Sequence, residues 1–160
     1  MPQYLVTGPQ RSGTTIAAHI LSCELKLQYI DEFDVDFNNL PDDCVVQAPF
    51  GLKHIVELAF RYPKLHFVYI FREPQEIIAS MERIQWFKAY IDDPQFYSTY
   101  ITQCRLVWTA YKSLLPSDRW TELNYSSFES HPLFVRNRDT FTVKQWQLNN
   151  PIGPKLWTHD

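Results

Sequence analysis

The run Gly8-Pro9-Gln10-Arg11-Ser12-Gly13-Thr14-Thr15 constrains this chain more than any other stretch. Tyr4-Leu5-Val6 places β-forming residues just before Gly8, and Ile16, Ala17, Ile20 and Leu21 recur at helical spacing just after Gly13. A strand, a glycine loop and a helix are the natural reading. Two glycines let the backbone curl so that several N–H groups point inward, and the helix brings its positive dipole end to the same spot. Such a loop tends to bind an anion. A glycine turn before a helix can also be a plain tight connection, so a second segment must support it.

The spacing follows the phosphate-loop template G-x-x-x-x-G-K-S/T at both glycines and at the hydroxyl, but Thr14 stands where the template has lysine. In ATP- and GTP-cleaving sites that lysine reaches the terminal phosphates, and threonine has neither the charge nor the length to do so. Here the cation is Arg11, inside the loop.

The second segment is Leu65 to Ser80, a nearly continuous apolar strand running into a helix. Pro74 suits the first helical turn, Glu76 suits its positive end, and Ile77, Ile78, Met81 and Ile84 are expected to form the buried stripe. Arg72 then sits at the strand exit, and Ser80 falls at the border of the stripe. A guanidinium fork beside a hydroxyl suits a terminal phosphomonoester. The plainer alternative pairs Arg72 with Glu73 or Glu76 and leaves Ser80 as a small packing residue.

Pro9 to Thr15, read as P-Q-R-S-G-T-T, resembles the 5′-phosphosulfate-binding loop of sulfotransferases, and Arg72 with Ser80 eight positions later resembles their 3′-phosphate element. The resemblance implies the donor 3′-phosphoadenosine 5′-phosphosulfate, no metal, and a small-molecule or glycan acceptor carrying a hydroxyl or amine. It also implies roles. Arg11, Ser12, Gly13, Thr14 and Thr15 would surround the 5′-phosphosulfate, with Arg11 meeting the charge of the transfer, and Arg72 and Ser80 would hold the 3′-phosphate. Tyr125, Phe128 and Pro132 match in part a family strand that ends in Tyr-Glu-Asp-Leu with a later proline, which makes Tyr125 a candidate nucleotide contact. Gln47 with Pro49 keeps the proline of a bacterial Lys-x-Pro and lacks its lysine.

Between these segments, Asp31 to Asp36 is an acidic stretch after a short strand, at the sheet edge that lines the ligand crevice of α/β folds. Glu32 and Asp34 are the candidate general bases. Each on its own is first of all the kind of acid that a solvated turn uses. His54, alone near an apolar face, stays outside the candidate set. The aromatic and aliphatic positions from Pro94 to Leu115 keep a helical period and are read as core-facing. Arg136, Arg138 and Lys144 form a local basic cluster where the family closes over its nucleotide.

With 160 residues, 45% of them hydrophobic and 16% aromatic, the chain is expected to form one domain spanning residues 1–160. Strands at about residues 3–7, 27–30, 44–47, 66–71 and 120–125 predict a three-layer α/β/α sandwich around a central, mainly parallel five-stranded sheet. A formal charge of −3 argues against nucleic acid as the partner. No leader pattern or membrane-length apolar run is visible, so a cytoplasmic protein without a membrane partner is expected. Cys23, Cys44 and Cys104 lack metal or disulfide spacing. The oligomeric state stays open. Two other readings stand beside sulfuryl transfer: a small-molecule kinase or nucleotide-binding protein using ATP and magnesium, and a non-catalytic nucleotide-binding domain.

Overall fold

The computed structural model describes residues 2–90 and 92–134. The basic cluster Arg136, Arg138 and Lys144 lies outside the described residues. Five strands, β1 (Gln3–Thr7), β2 (Gln28–Ile30), β3 (Cys44–Gln47), β4 (Leu65–Phe71) and β5 (Trp120–Asn124), form one sheet. Their order is β2-β3-β1-β4-β5, and every pairing is parallel. The helices are α1 (Thr14–Leu25), α2 (Ile55–Arg61), α3 (Pro74–Arg83), α4 (Phe96–Lys112) and α5 (Tyr125–Phe128). The expected α/β sandwich is therefore the fold, and the sheet is wholly parallel.

Strand alternation decides which helix covers which face. Tyr4, Val6, Val45, Val68, Ile70 and Leu123 pack against Ile16, Ala17, Ile20 and Leu21 of α1 and Phe128 of α5. The residues between them, Leu5, Cys44, Val46, Phe67 and Tyr69, face Ile55 and Leu58 of α2 and Cys104 and Trp108 of α4. All of β1 is buried, as expected of a central parallel strand. Trp108 is fully buried, stacks on Tyr69 at 4.9 Å between ring centres, and donates its indole N–H to Glu122 at 2.8 Å. A large aromatic whose N–H is satisfied in this way is a strong anchor for α4. Ile77 and Met81 of α3 meet Tyr97 and Ile101 of α4 in a third apolar cluster.

Several boundaries shift from the sequence expectation for local reasons. The expected helix from Leu52 begins as a 3-10 turn, Pro49–His54, and becomes α2 only at Ile55. Gly51 there packs so closely on Leu5 that an added Cβ would sit 3.2 Å from its Cδ2. Ile84 is 40% exposed because α3 ends at Arg83, so the buried face of that helix is Ile77, Ser80 and Met81. β5 stops at Asn124, which leaves Tyr125 as the first residue of α5 instead of the last of the strand. Cys44 and Cys104 are buried, Cys23 is half-buried, and all three are free thiols. Among the described residues no helix is long and apolar enough to cross a membrane.

β1 and β4 are neighbours, and the chain leaves them in different directions, through α1 over one face and through α3 towards α4 over the other. That divergence opens a crevice at their carboxyl ends.

Candidate active site

The glycine loop after β1 depends on both of its glycines. Gly8 has φ 148° and Gly13 φ 101°, a region that side chains rarely adopt. Space is closed as well: a Cβ on Gly8 would lie 2.9 Å from Ser12 Oγ and 3.0 Å from the Ile70 carbonyl oxygen, and one on Gly13 would lie 2.6 Å from Tyr125 Cδ2. The loop is tied at three points. The Gln10 N–H donates to the Tyr100 hydroxyl at 2.9 Å, the Ser12 N–H closes a turn onto the Pro9 carbonyl at 3.1 Å, and Arg72 Nη1 donates to the Arg11 carbonyl at 3.1 Å.

Arg11 adopts φ 66°, a left-handed conformation uncommon outside glycine. That twist accompanies a side chain that reaches α3, where Arg11 Nε donates to Ser80 Oγ at 3.0 Å. The first intrahelical bond of α1 runs from the Ala17 N–H to the Gly13 carbonyl at 3.0 Å. The N–H groups of Thr14, Thr15 and Ile16 therefore have no intrahelical acceptor, and the N-cap, Gly13, has no side chain to cap them. The first turn of α1 holds no acidic residue that would repel an anion.

A cleft of about 510 Å³ opens over this loop. Arg11, Gly13, Thr14 and Thr15 line it from the loop side, Arg72 and Ser80 from β4 and α3, and Tyr125 from α5. Two remote segments of the sequence thus face one space. Arg72 lies over the Tyr125 ring at 3.9 Å, donates from Nε to Glu76 at 3.2 Å, and has its own carbonyl held by Arg105 Nη2 at 2.9 Å. The ion pair with Glu76 expected of a surface arginine exists, and the same guanidinium also braces the loop. Ser80 is 9% exposed and acts as an acceptor as well as a packing residue.

Ser12 differs from its neighbours. It is fully buried, its Oγ has no partner among the described residues, and its side chain packs under the loop against Gly8, away from the cleft. The two candidate bases also separate. Glu32 lines the cleft and lies 3.5 Å from Gln10 Nε2, whereas Asp34 lines a second hollow with Asp31 and Asp36. Burial pushes the Glu32 carboxyl above the usual carboxylate range; the bond from Gln10 opposes that shift, and the charge of Asp31 adds to it. Asp31 is itself fixed, accepting from the Tyr29 hydroxyl at 2.8 Å and from the Phe33 N–H at 3.3 Å.

Sequence reasoning missed Arg83, Trp86 and Gln10 as cleft residues, and saw Gln47 only as a missing lysine. Glu76, Ser80 and Arg83 form one face of α3 at helical spacing, a pattern that was available once Ser80 had been placed. Gln47 donates from Nε2 to Thr14 Oγ1 at 3.0 Å, across a contact between the end of β3 and the start of α1. That pairing is long-range and leaves no local trace in the sequence.

No protein-family model and no curated relative matches the chain. Its structure is similar to that of a sulfotransferase from Alicyclobacillus acidocaldarius, with a TM-score of 0.61 and 10% identity, covering 93% of this chain and 89% of that one. The likeness covers nearly all of both chains, so the protein has a sulfotransferase-like α/β fold.

Proposed function

We propose that this chain is a sulfotransferase that uses 3′-phosphoadenosine 5′-phosphosulfate as donor and a hydroxyl or amine of a small-molecule or glycan as acceptor. The observation that carries this reading is the meeting of two guanidinium groups at a lysine-free loop. Arg72 holds the Arg11 carbonyl while Arg11 holds Ser80, all on one cleft. The residues fit such a donor: a glycine cradle that a Cβ would fill, first-turn N–H groups with no intrahelical acceptor, and a cleft of about 510 Å³ that is of ligand size.

Bound there, the donor would supply an activated sulfuryl group and a leaving phosphate that gathers negative charge. Arg11 and the N–H groups of Thr14 and Thr15 would meet that charge, each preorganised donor typically worth about 2.7–4 kcal/mol of barrier. Arg72 and Ser80 would hold the 3′-phosphate, and Tyr125, under Arg72, would keep its fork in place. Glu32 would take the acceptor proton: it is the candidate acid that reaches the cleft, and burial raises its affinity for a proton, the direction that strengthens a base. Of the loop residues, Ser12 contributes shape and Gly13 space.

The competing kinase reading needs a cation at the position of Thr14 and an acid at the end of β3. This chain has Thr14 and Gln47 there, and they bond to each other. Transfer of labelled sulfate from the donor to a panel of alcohols, amines and sugars, run beside calorimetry with ATP and magnesium, tests the proposal. Metal-independent sulfate transfer is the expected result. Magnesium-dependent ATP binding without donor binding would replace it with the kinase reading, and donor binding without turnover would leave a nucleotide-binding domain.

A further inference from the structure

Gln47 and Thr14 are each 3% exposed, lie 33 positions apart, and both line the cleft. Gln47 ends β3, the strand hydrogen-bonded to β1, and Thr14 opens α1, so the two ends of this contact sit on rigid elements. The Gln47 amide nitrogen donates to Thr14 Oγ1 at 3.0 Å. A threonine hydroxyl has one proton to give and two lone pairs to fill. With an N–H filling a lone pair, the oxygen is fixed as the acceptor in that bond, and its proton turns elsewhere. Thr14 is the first helical residue, so the usual outlet for a helical threonine, the carbonyl four positions back within its own helix, does not exist. Thr14 Oγ1 has no second partner among the described residues, and the cleft lies beside it.

We propose that Gln47 is a positioning residue that commits the Thr14 hydroxyl proton to an anion held in the loop. The device would replace, with a directed neutral donor, the charge that a lysine brings to this position in phosphate loops. Its effect falls on the phosphate bound at the loop and not on a phosphate bound at Arg72. A carboxylate at position 47 would reverse the sense of the bond, drawing the Thr14 proton to itself and placing a negative charge beside the ligand.

The assignment rests on the nucleotide reading given above, and the test separates the two. Binding of AMP and of adenosine 3′,5′-bisphosphate is measured by calorimetry on the whole chain, unmodified and as Gln47→Glu, Gln47→Met, Thr14→Val and the double variant Gln47→Met with Thr14→Val, with thermal unfolding as the check on folding. Gln47→Met keeps the length of the side chain and removes the donor, so it serves if the buried acid of Gln47→Glu disturbs the fold. The expected result for either Gln47 variant is a loss on the order of tenfold, the worth of one hydrogen bond to a charged group. The loss is shared equally by the two ligands, so their affinity ratio is unchanged. Because Gln47 acts through Thr14, Gln47→Met combined with Thr14→Val binds no more weakly than Thr14→Val alone. Additive losses would mean that Gln47 acts on the ligand independently of Thr14. Folded Gln47 variants that bind as tightly as the unmodified chain overturn this assignment alone, as do additive losses. Failure of the unmodified chain to bind either nucleotide overturns the nucleotide reading and this assignment with it.

Discussion

Arg11 Nε donates to Ser80 Oγ at 3.0 Å, although 69 positions separate the two residues. The resemblance to sulfotransferases implies opposite ends of a nucleotide for them, the 5′ end for Arg11 and the 3′ end for Ser80. In the fold they touch, and the Arg72 bond to the Arg11 carbonyl closes the connection. Ser80→Ala is therefore expected to lower turnover as well as bisphosphate affinity, since Arg11 loses its acceptor. In a double-mutant cycle with Arg11→Ala the losses should fail to add by about 0.5–3 kcal/mol. Steady-state kinetics and calorimetry on the three variants check this.

Arg72→Ala is expected to cost both recognition and stability. The guanidinium is stacked at 3.9 Å on Tyr125 and braces the loop at Arg11, with its side chain 20% exposed. Losing a stacked cation of this kind costs roughly 0.5–2 kcal/mol. Removal of a charged hydrogen bond to phosphate should cut the preference for bisphosphate over AMP by about tenfold or more. Denaturant unfolding reads the first effect and calorimetry the second. Arg72→Lys should restore part of the charge without the fork.

Gly13→Ala should unfold the site from within. The added Cβ would meet Tyr125 Cδ2 at 2.6 Å, and φ 101° is costly for any side chain. A backbone strain of about 1–3 kcal/mol is expected, together with displacement of Tyr125 from under Arg72. Urea unfolding measures the strain, and loss of bisphosphate binding reports the displacement.

Glu32 gives a prediction in pH. Burial, opposed by Gln10 and reinforced by Asp31, holds its carboxyl above the ordinary value of 4.5. The folded chain thus binds this proton more tightly than the unfolded chain does. The resulting stability is present below the unfolded value and is lost as pH rises through the folded one. Glu32→Gln should therefore be more stable than the unmodified chain at neutral pH. As the proposed base, Glu32 works only when ionised, so kcat/KM should climb with pH along a limb displaced above the ordinary carboxylate value. Glu32→Gln should lose that limb and about 10²–10⁴ in rate. Asp34→Asn, in the separate hollow, should retain both.

Much of this was legible in the sequence because it is local. Strand, glycines and helix of the loop are contiguous, and so are the β4 exit and α3, which is why the sequence alone names Arg11, Thr15, Arg72 and Ser80 as candidates, and all four line the cleft. The parts that escaped depend on contacts between elements. Ser12 fits the loop pattern, yet the turn onto Pro9 rotates it under Gly8, an orientation that residue type does not encode. Glu32 and Asp34 look alike in an acidic run, and only the turn pinned by Asp31 sends one into the cleft and the other away from it. Gln47 meets Thr14 because β3 is laid beside β1, and adjacency in a parallel sheet follows from topology.

The central claim is that one cleft grips a nucleotide at both phosphate ends without a lysine in its loop. The most direct measurement is the affinity of the unmodified chain for adenosine 3′,5′-bisphosphate against AMP, by calorimetry in buffer containing a chelator. The account predicts binding that needs no divalent metal and is about tenfold or more tighter for the bisphosphate. Equal affinity for the two ligands, or binding that appears only when magnesium is added, would contradict it.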